Sequence, residues 1–209
     1  MSEKGILLVV SGFAGTGKGT VVKALMEAHP AYMLSVSMTT RAPREGEQEG
    51  VSYFFTTREE FEKTIAEGGL IEHASYVGNY YGTPRAFVEK QLAQGRNVIL
   101  EIEIQGAKQV KEQYPDAVLV FITPPTAREL ERRLRGRGTE TEDVIRKRLS
   151  RAAEEASRME EYDYIVVNDV VETCAAQIHE IVQASRRKAS ACGELCSRIA
   201  EELQCYAQK

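Results

Sequence analysis

Five short apolar runs recur along the chain, at residues 6–10, 33–36, 98–102, 117–122 and 164–167. Each is about as long as a strand, and each is apolar at successive rather than alternate positions, as in strands covered on both faces. The segments between them carry apolar residues at helical spacing. Alternating strand and helix predicts an α/β fold of three layers (α/β/α), with a parallel five-stranded core sheet between helices. The pattern changes between residues 39 and 96. There the text turns polar and glycine-rich, with a short alternating run at Val51-Ser52-Tyr53-Phe54-Phe55, a helix expected over 58–67, and a turn at Gly78-Asn79-Tyr80-Tyr81-Gly82-Thr83. A small mixed α+β insert within the larger fold is expected, so the reading is one domain over 1–209 with its core at 1–38 and 97–209. A second interruption, Arg135-Gly136-Arg137-Gly138-Thr139, sets arginines between glycines before another helical segment, and reads as a helical lid over about 135–150. The tail beyond residue 171 keeps helical spacing at Ile178, Ile181 and Val182, then at Leu195, Ile199 and Leu203.

Composition narrows the function classes. The 209 residues carry a net charge of −4, with 28% charged, so no global basic field points to nucleic acid or to an anionic membrane. No apolar run approaches the roughly 18 residues that a membrane span needs, and Met1-Ser2-Glu3-Lys4 has no signal-like character, which reads as a cytoplasmic protein. The cysteines, Cys174, Cys192, Cys196 and Cys205, crowd into the last fifth of the chain, where reduced thiols are expected rather than a disulfide framework. His29, His73 and His179 show no metal-ligand spacing.

The chemistry is concentrated directly after the first apolar run, in Gly12-Phe13-Ala14-Gly15-Thr16-Gly17-Lys18-Gly19-Thr20. A buried strand, a glycine-rich turn and a lysine opening a helix make a P-loop, in which backbone N–H groups and a helix N-terminus surround phosphate oxygens. Lys18 is expected to reach the β- and γ-phosphates of a nucleotide. The strict pattern places Ser or Thr directly after the lysine. Here that place is Gly19, and the hydroxyl follows at Thr20.

The Gly-Lys-Gly-Thr order resembles that of nucleoside monophosphate kinases. Together with Ser35-Val36-Ser37-Met38-Thr39-Thr40-Arg41-Ala42-Pro43-Arg44 and the turn around Tyr81, the chain resembles the guanylate kinase family over about residues 5–185. The resemblance implies transfer of the γ-phosphoryl group of ATP to GMP, with Mg²⁺ accompanying ATP. It implies ATP contacts from residues 12–20 and from Asn168. It further implies a GMP site in which Arg41, Arg44, Tyr53 and Tyr81 hold the phosphate, while Ser37, Glu72, Thr83 and Glu103 hold the base. Guanine offers adjacent N1–H and N2–H donors that a carboxylate can accept, whereas adenine would set an acceptor against it. Lys18, Arg41, Arg137 and Arg148 are the expected charge-neutralising side chains around the transferred group. Family members often carry aspartates where this chain has Glu101 and Glu103. The magnesium ion is expected through water, with Thr20 and Glu101 as its nearest protein groups. The expected partners are ATP and GMP, with no nucleic acid or membrane; the tail stripe of Leu195, Ile199 and Leu203 is expected to dock either on its own domain or on a second subunit, the latter giving a homo-oligomer. Two rival readings remain at this stage. One is a protein-binding module of the same fold without catalysis, and the other is a kinase for a different nucleoside monophosphate.

Overall fold

The computed structural model describes residues 4–76, 78–136 and 141–207. All five apolar runs become strands of one parallel sheet: β1 (Leu7–Gly12), β2 (Tyr32–Leu34), β7 (Asn97–Glu101), β8 (Val118–Thr123) and β9 (Tyr164–Val167), in the order β2-β7-β1-β8-β9. On the three inner strands, β1, β7 and β8, successive positions are apolar because they feed two separate cores. Leu7, Val9, Val98, Leu100, Leu119 and Phe121 face one side of the sheet, and Leu8, Val10, Ile99, Val118, Val120 and Ile122 face the other. On the second side lie α1 (Lys18–Ala28) and α7 (Val171–Ser185), through Val21, Val22, Leu25, Cys174, Ile178 and Val182. The first side is covered by α3 (Arg85–Ala93), α4 (Ile104–Gln113), α5 (Ala127–Gly136) and α6 (Glu142–Ala156).

The polar stretch builds a second sheet of order β4-β3-β6-β5, from β3 (Met38–Thr39), β4 (Phe54–Phe55), β5 (Leu70–Tyr76) and β6 (Asn79–Pro84). It is mixed: β3 runs parallel to β4, while β6 is antiparallel to both β3 and β5. Helix α2 (Arg58–Ala66) starts where Thr57 accepts a hydrogen bond from the Glu60 amide at 3.2 Å, and it sinks Phe61 under the sheet against the Tyr80 ring.

One edge of this sheet is β5, and α4 closes it with side chains. Gln109 accepts from the His73 amide and donates to the His73 carbonyl, both at 3.1 Å, while Gln113 donates to the Ile71 carbonyl at 2.7 Å. Two glutamines thus stand in for a neighbouring strand. Arg85 seals the same corner, with bonds to the Gly68 and Leu70 carbonyls, the Tyr114 hydroxyl and the Gln113 side chain.

In the tail, α7 gives way at residue 186 to a short 3-10 turn (Ala189–Cys192) and then α8 (Gly193–Ala207). Leu195, Ile199 and Leu203 form an exposed stripe on α8. Cys174, Cys192 and Cys196 are free thiols.

Candidate active site

β1 is the middle strand, and its neighbours β7 and β8 come from distant parts of the chain, so a crevice opens at the carboxyl ends of the strands. The glycine-rich loop leaves β1 there. Gly17 caps α1 with φ 84°, a left-handed conformation, and a Cβ at this position would stand 2.9 Å from Asn168 Nδ2. Glycine is therefore required twice over, for backbone angle and for space.

Several loop residues turn inward. Phe13 packs edge-on against Phe121, with ring centroids 4.9 Å apart, so it can offer a ligand only its backbone. The buried Thr16 hydroxyl donates to the Phe13 carbonyl at 2.9 Å. Asn168 is also buried, and its Nδ2 donates to the Thr16 carbonyl at 2.7 Å, making it a brace under the loop. Its Oδ1 has no hydrogen-bond partner among the described residues. Lys18 folds back over the loop, donating to the Gly12 and Phe13 carbonyls at 2.7 and 3.1 Å. Thr20 is exposed at the start of α1.

A cleft of about 340 Å³ runs from this loop to the second sheet, and Lys18, Ser37, Tyr53, Thr83, Glu101 and Glu103 all line it. Glu101 ends β7, and its Oε2 lies 3.8 Å from where a Gly19 Cβ would be. Its tip meets solvent, yet the protein mass around the cleft floor raises its carboxyl above the ordinary value, with Lys18 pulling the other way. Glu101 and Glu103 are two positions apart, the spacing that would put both on one face of a strand. In the structure the strand stops at Glu101, and Glu103 is instead the N-cap residue of α4, in extended conformation, because the chain turns at Ile102 to enter the helix. Both carboxylates nevertheless reach the same cleft. Glu103 is held from the far side by Arg151 of α6, Nη2 to Oε2 at 2.6 Å.

Glu72 lies one hydrogen bond behind the cleft wall. It is only 5% exposed, and its Oε1 accepts from the Thr83 hydroxyl at 2.7 Å. The other oxygen rests against the first turn of α4, so close that a Cβ on Gly106 would fall 2.6 Å from it. Burial raises the Glu72 carboxyl, and the Thr83 bond offsets this only in part.

Arg41, Tyr53 and Tyr81 form a group of their own on the second sheet. The Arg41 guanidinium lies 5.3 Å from the centre of the Tyr53 ring, and the Tyr53 and Tyr81 rings are 6.1 Å apart. Glu47, which sequence reasoning missed, organises them: its carboxylate takes Arg41 Nη2 at 2.8 and 3.0 Å and the Arg44 amide at 2.8 Å. The arginine bond, then the amide, lowers the Glu47 carboxyl. Arg44 itself is exposed. The one local signal was an acid six residues beyond an arginine in a turn, which is too common a pattern to single out.

The expected lid arginine, Arg137, lies outside the described residues. On either side of it α5 and α6 are joined by Arg135, which bonds Glu131 at 3.0 Å and Glu142 at 2.9 Å. Arg148 stands half-buried on α6 and is not among the described residues that line the cleft. Arg133 of α5 points at the phosphate loop, with Nη1 3.5 Å from the Thr16 carbonyl.

A family model described as guanylate kinase matches residues 4–185, which include every strand of both sheets and the cleft between them. The chain belongs to the guanylate kinase family. A guanylate kinase of Synechococcus sp. (strain CC9902) is 53% identical over 183 residues, covering 88% of this chain and 98% of that one. One from Shouchella clausii (strain KSM-K16) is likewise 53% identical, over 89% of this chain and 91% of the relative. Among solved structures, the guanylate kinase of Anaplasma phagocytophilum superposes with a TM-score of 0.70 at 39% identity, covering 90% of this chain and 89% of that one. All three matches leave a part of this chain uncovered, and the family model stops at residue 185, the last residue of α7.

Proposed function

We infer that this chain is an active guanylate kinase that moves the γ-phosphoryl group of ATP onto the phosphate of GMP, giving ADP and GDP. The observation that carries the reading is the single cleft lined at once by Lys18 of the phosphate loop and by Ser37, Tyr53 and Thr83 of the second sheet. In this reading the segment 39–96 is the acceptor-binding insert and about 135–150 the lid, within one domain.

ATP is bound by the backbone amides of residues 12–20, with the positive end of α1 facing the β-phosphate. Lys18 exchanges the Gly12 and Phe13 carbonyls for phosphate oxygens. Asn168 Oδ1, an acceptor lacking a donor, suits an exocyclic amino group such as that of adenine. On the acceptor side Arg41, Arg44, Tyr53 and Tyr81 supply planar charge and hydroxyl donors to the GMP phosphate. Arg41 has to loosen from Glu47 to do so, or share itself between the two anions. Glu72 and Glu103 accept the guanine N1–H and N2–H, and Ser37 and Thr83 complete the base site. Arg137 and Arg148 close over the transferred group from the lid.

Glu101 and Thr20 carry the hard oxygen donors that suit Mg²⁺, and both stand beside the start of α1. Among the described residues no group of three or more His, Cys, Asp or Glu side chains is placed to hold a metal ion. When bound, it would neutralise charge on the β- and γ-phosphates.

The test is incubation with ATP and Mg²⁺ against GMP, IMP, AMP, CMP and UMP, following ADP release. Rapid release with GMP and little with AMP, CMP or UMP is expected. Release that ignores the acceptor, or none with any of them, would overturn the reading.

A further inference from the structure

Glu103 reaches the cleft on a side chain with three rotatable bonds, and it sits at a helix N-cap where it makes no capping bond of its own. Nearly two-thirds of that side chain is exposed, at 64%, so its direction has to be set by a partner. Arg151 is that partner among the described residues. Its Nη2 donates to Glu103 Oε2 at 2.6 Å, and its Nε donates to Glu155 Oε1 at 2.9 Å. Glu155, one turn further along α6, is well covered, with only 15% of its side chain exposed. The guanidinium fork is thus anchored at one end by a shielded carboxylate and grips the cleft carboxylate with the other. A planar fork suits this task, since it loses less freedom per bond formed than a lysine ammonium would.

We propose that Arg151 is a positioning residue for acceptor-base recognition: it fixes one oxygen of Glu103, leaving the other aimed into the cleft for a guanine donor. The proposal rests on the reading of Glu103 as a base-binding residue. Arg151 touches neither nucleotide in this account. It acts by cutting the number of orientations that Glu103 must abandon when the base arrives. In this proposal the donor that Glu103 accepts is the guanine 2-amino group, so the gain should be larger for GMP than for IMP, which lacks that group.

The experiment compares steady-state kinetics of wild type and R151Q with GMP and with IMP, alongside thermal melting. For R151Q the GMP KM should rise about two- to fivefold, the size expected of a half-exposed charge pair, with kcat and the ATP KM nearly unchanged. The IMP KM should rise less. In an E103D background, whose shorter side chain has one fewer rotatable bond, the R151Q effect should shrink. R151K should behave like R151Q, because an ammonium lacks the fork. Equal losses for GMP and IMP, or an effect of the same size in the E103D background, would overturn the proposal. So would an unchanged GMP KM in R151Q. A wild-type enzyme with no preference for GMP over other nucleotides would instead defeat the functional reading itself, and the two failures are told apart by that control.

Discussion

A carboxylate buried behind one hydroxyl costs stability when ionised, and Glu72 is such a group. The folded chain holds its proton more tightly than the unfolded chain does, because burial raises its pKa. Its contribution to stability is therefore full below the ordinary value of 4.5 and declines as pH climbs through the raised one. E72Q should accordingly melt no lower than wild type at pH 7, with its advantage disappearing below about pH 4. The same variant should raise the GMP KM roughly 10- to 100-fold and leave that of ATP alone, since an amide presents its own donor to one of the guanine donors. Melting curves and separate KM measurements check both halves, and a parallel loss for ATP would point to general damage. At this scale the sequence was most readable where chemistry is local. The loop from Gly12 to Thr20 announces itself by composition, and Ser37, Tyr53 and Thr83 stand in recognisable motifs. Glu47, the Gly106 contact with Glu72 and the Arg151 tether were not readable. Each depends on a distance set by packing, and Glu103 and Arg151 are 48 positions apart.

Among the elements, α1 is gripped at both ends. Its N-terminus carries the phosphate loop, and its C-cap residue, His29, stacks on His179 of α7, with ring centroids 3.6 Å apart and planes within 7°. The Tyr32 hydroxyl, on β2, bonds His179 Nδ1 at 3.0 Å. Burial, then His29, lowers the His179 pKa, while neighbouring Glu180 opposes them. A histidine lowered on folding lends stability that is present above its ordinary value of 6.5 and is lost as pH falls through the folded one. Wild type should therefore lose melting temperature between about pH 7.5 and 5 more steeply than H179Q. Identical slopes would show that the stack carries no proton linkage. The five core strands were legible because each is apolar on both faces, a demand that few other elements make. Their ends were less so: β2 stops at Leu34 rather than running to residue 36, and β7 at Glu101, since strand ends are decided by where neighbours stop pairing. The 3-10 break after α7 interrupts helical spacing that continues on both sides of it, so periodicity alone passes over it.

For the whole molecule, the two sheets carry complementary halves of the site, and in-line transfer needs the halves around one dry phosphoryl group. Distance labels on Lys23 of α1 and Lys63 of α2, both exposed, should move closer when GMP and a non-transferable ATP analogue are bound together. An unchanged distance in an active enzyme would rule out closure. The α8 helix lies beyond the family match, and its leucine and isoleucine stripe faces outward. A chain ended at Arg187 should keep its transfer activity and melt within about 5 °C of the full chain, because α8 buries none of the described core. A collapse of activity would give the tail a part in the site. The glutamine pair that α4 lays along the edge of β5 matters for the protein in crowded surroundings. An unpaired strand edge offers amides and carbonyls that a stray chain can zip onto, and repeated zipping is how sheets grow into fibrils. By occupying His73 and Ile71 with side chains of its own, α4 takes away that template, so the sheet that is expected to move during the reaction can do so without becoming a seed for aggregation.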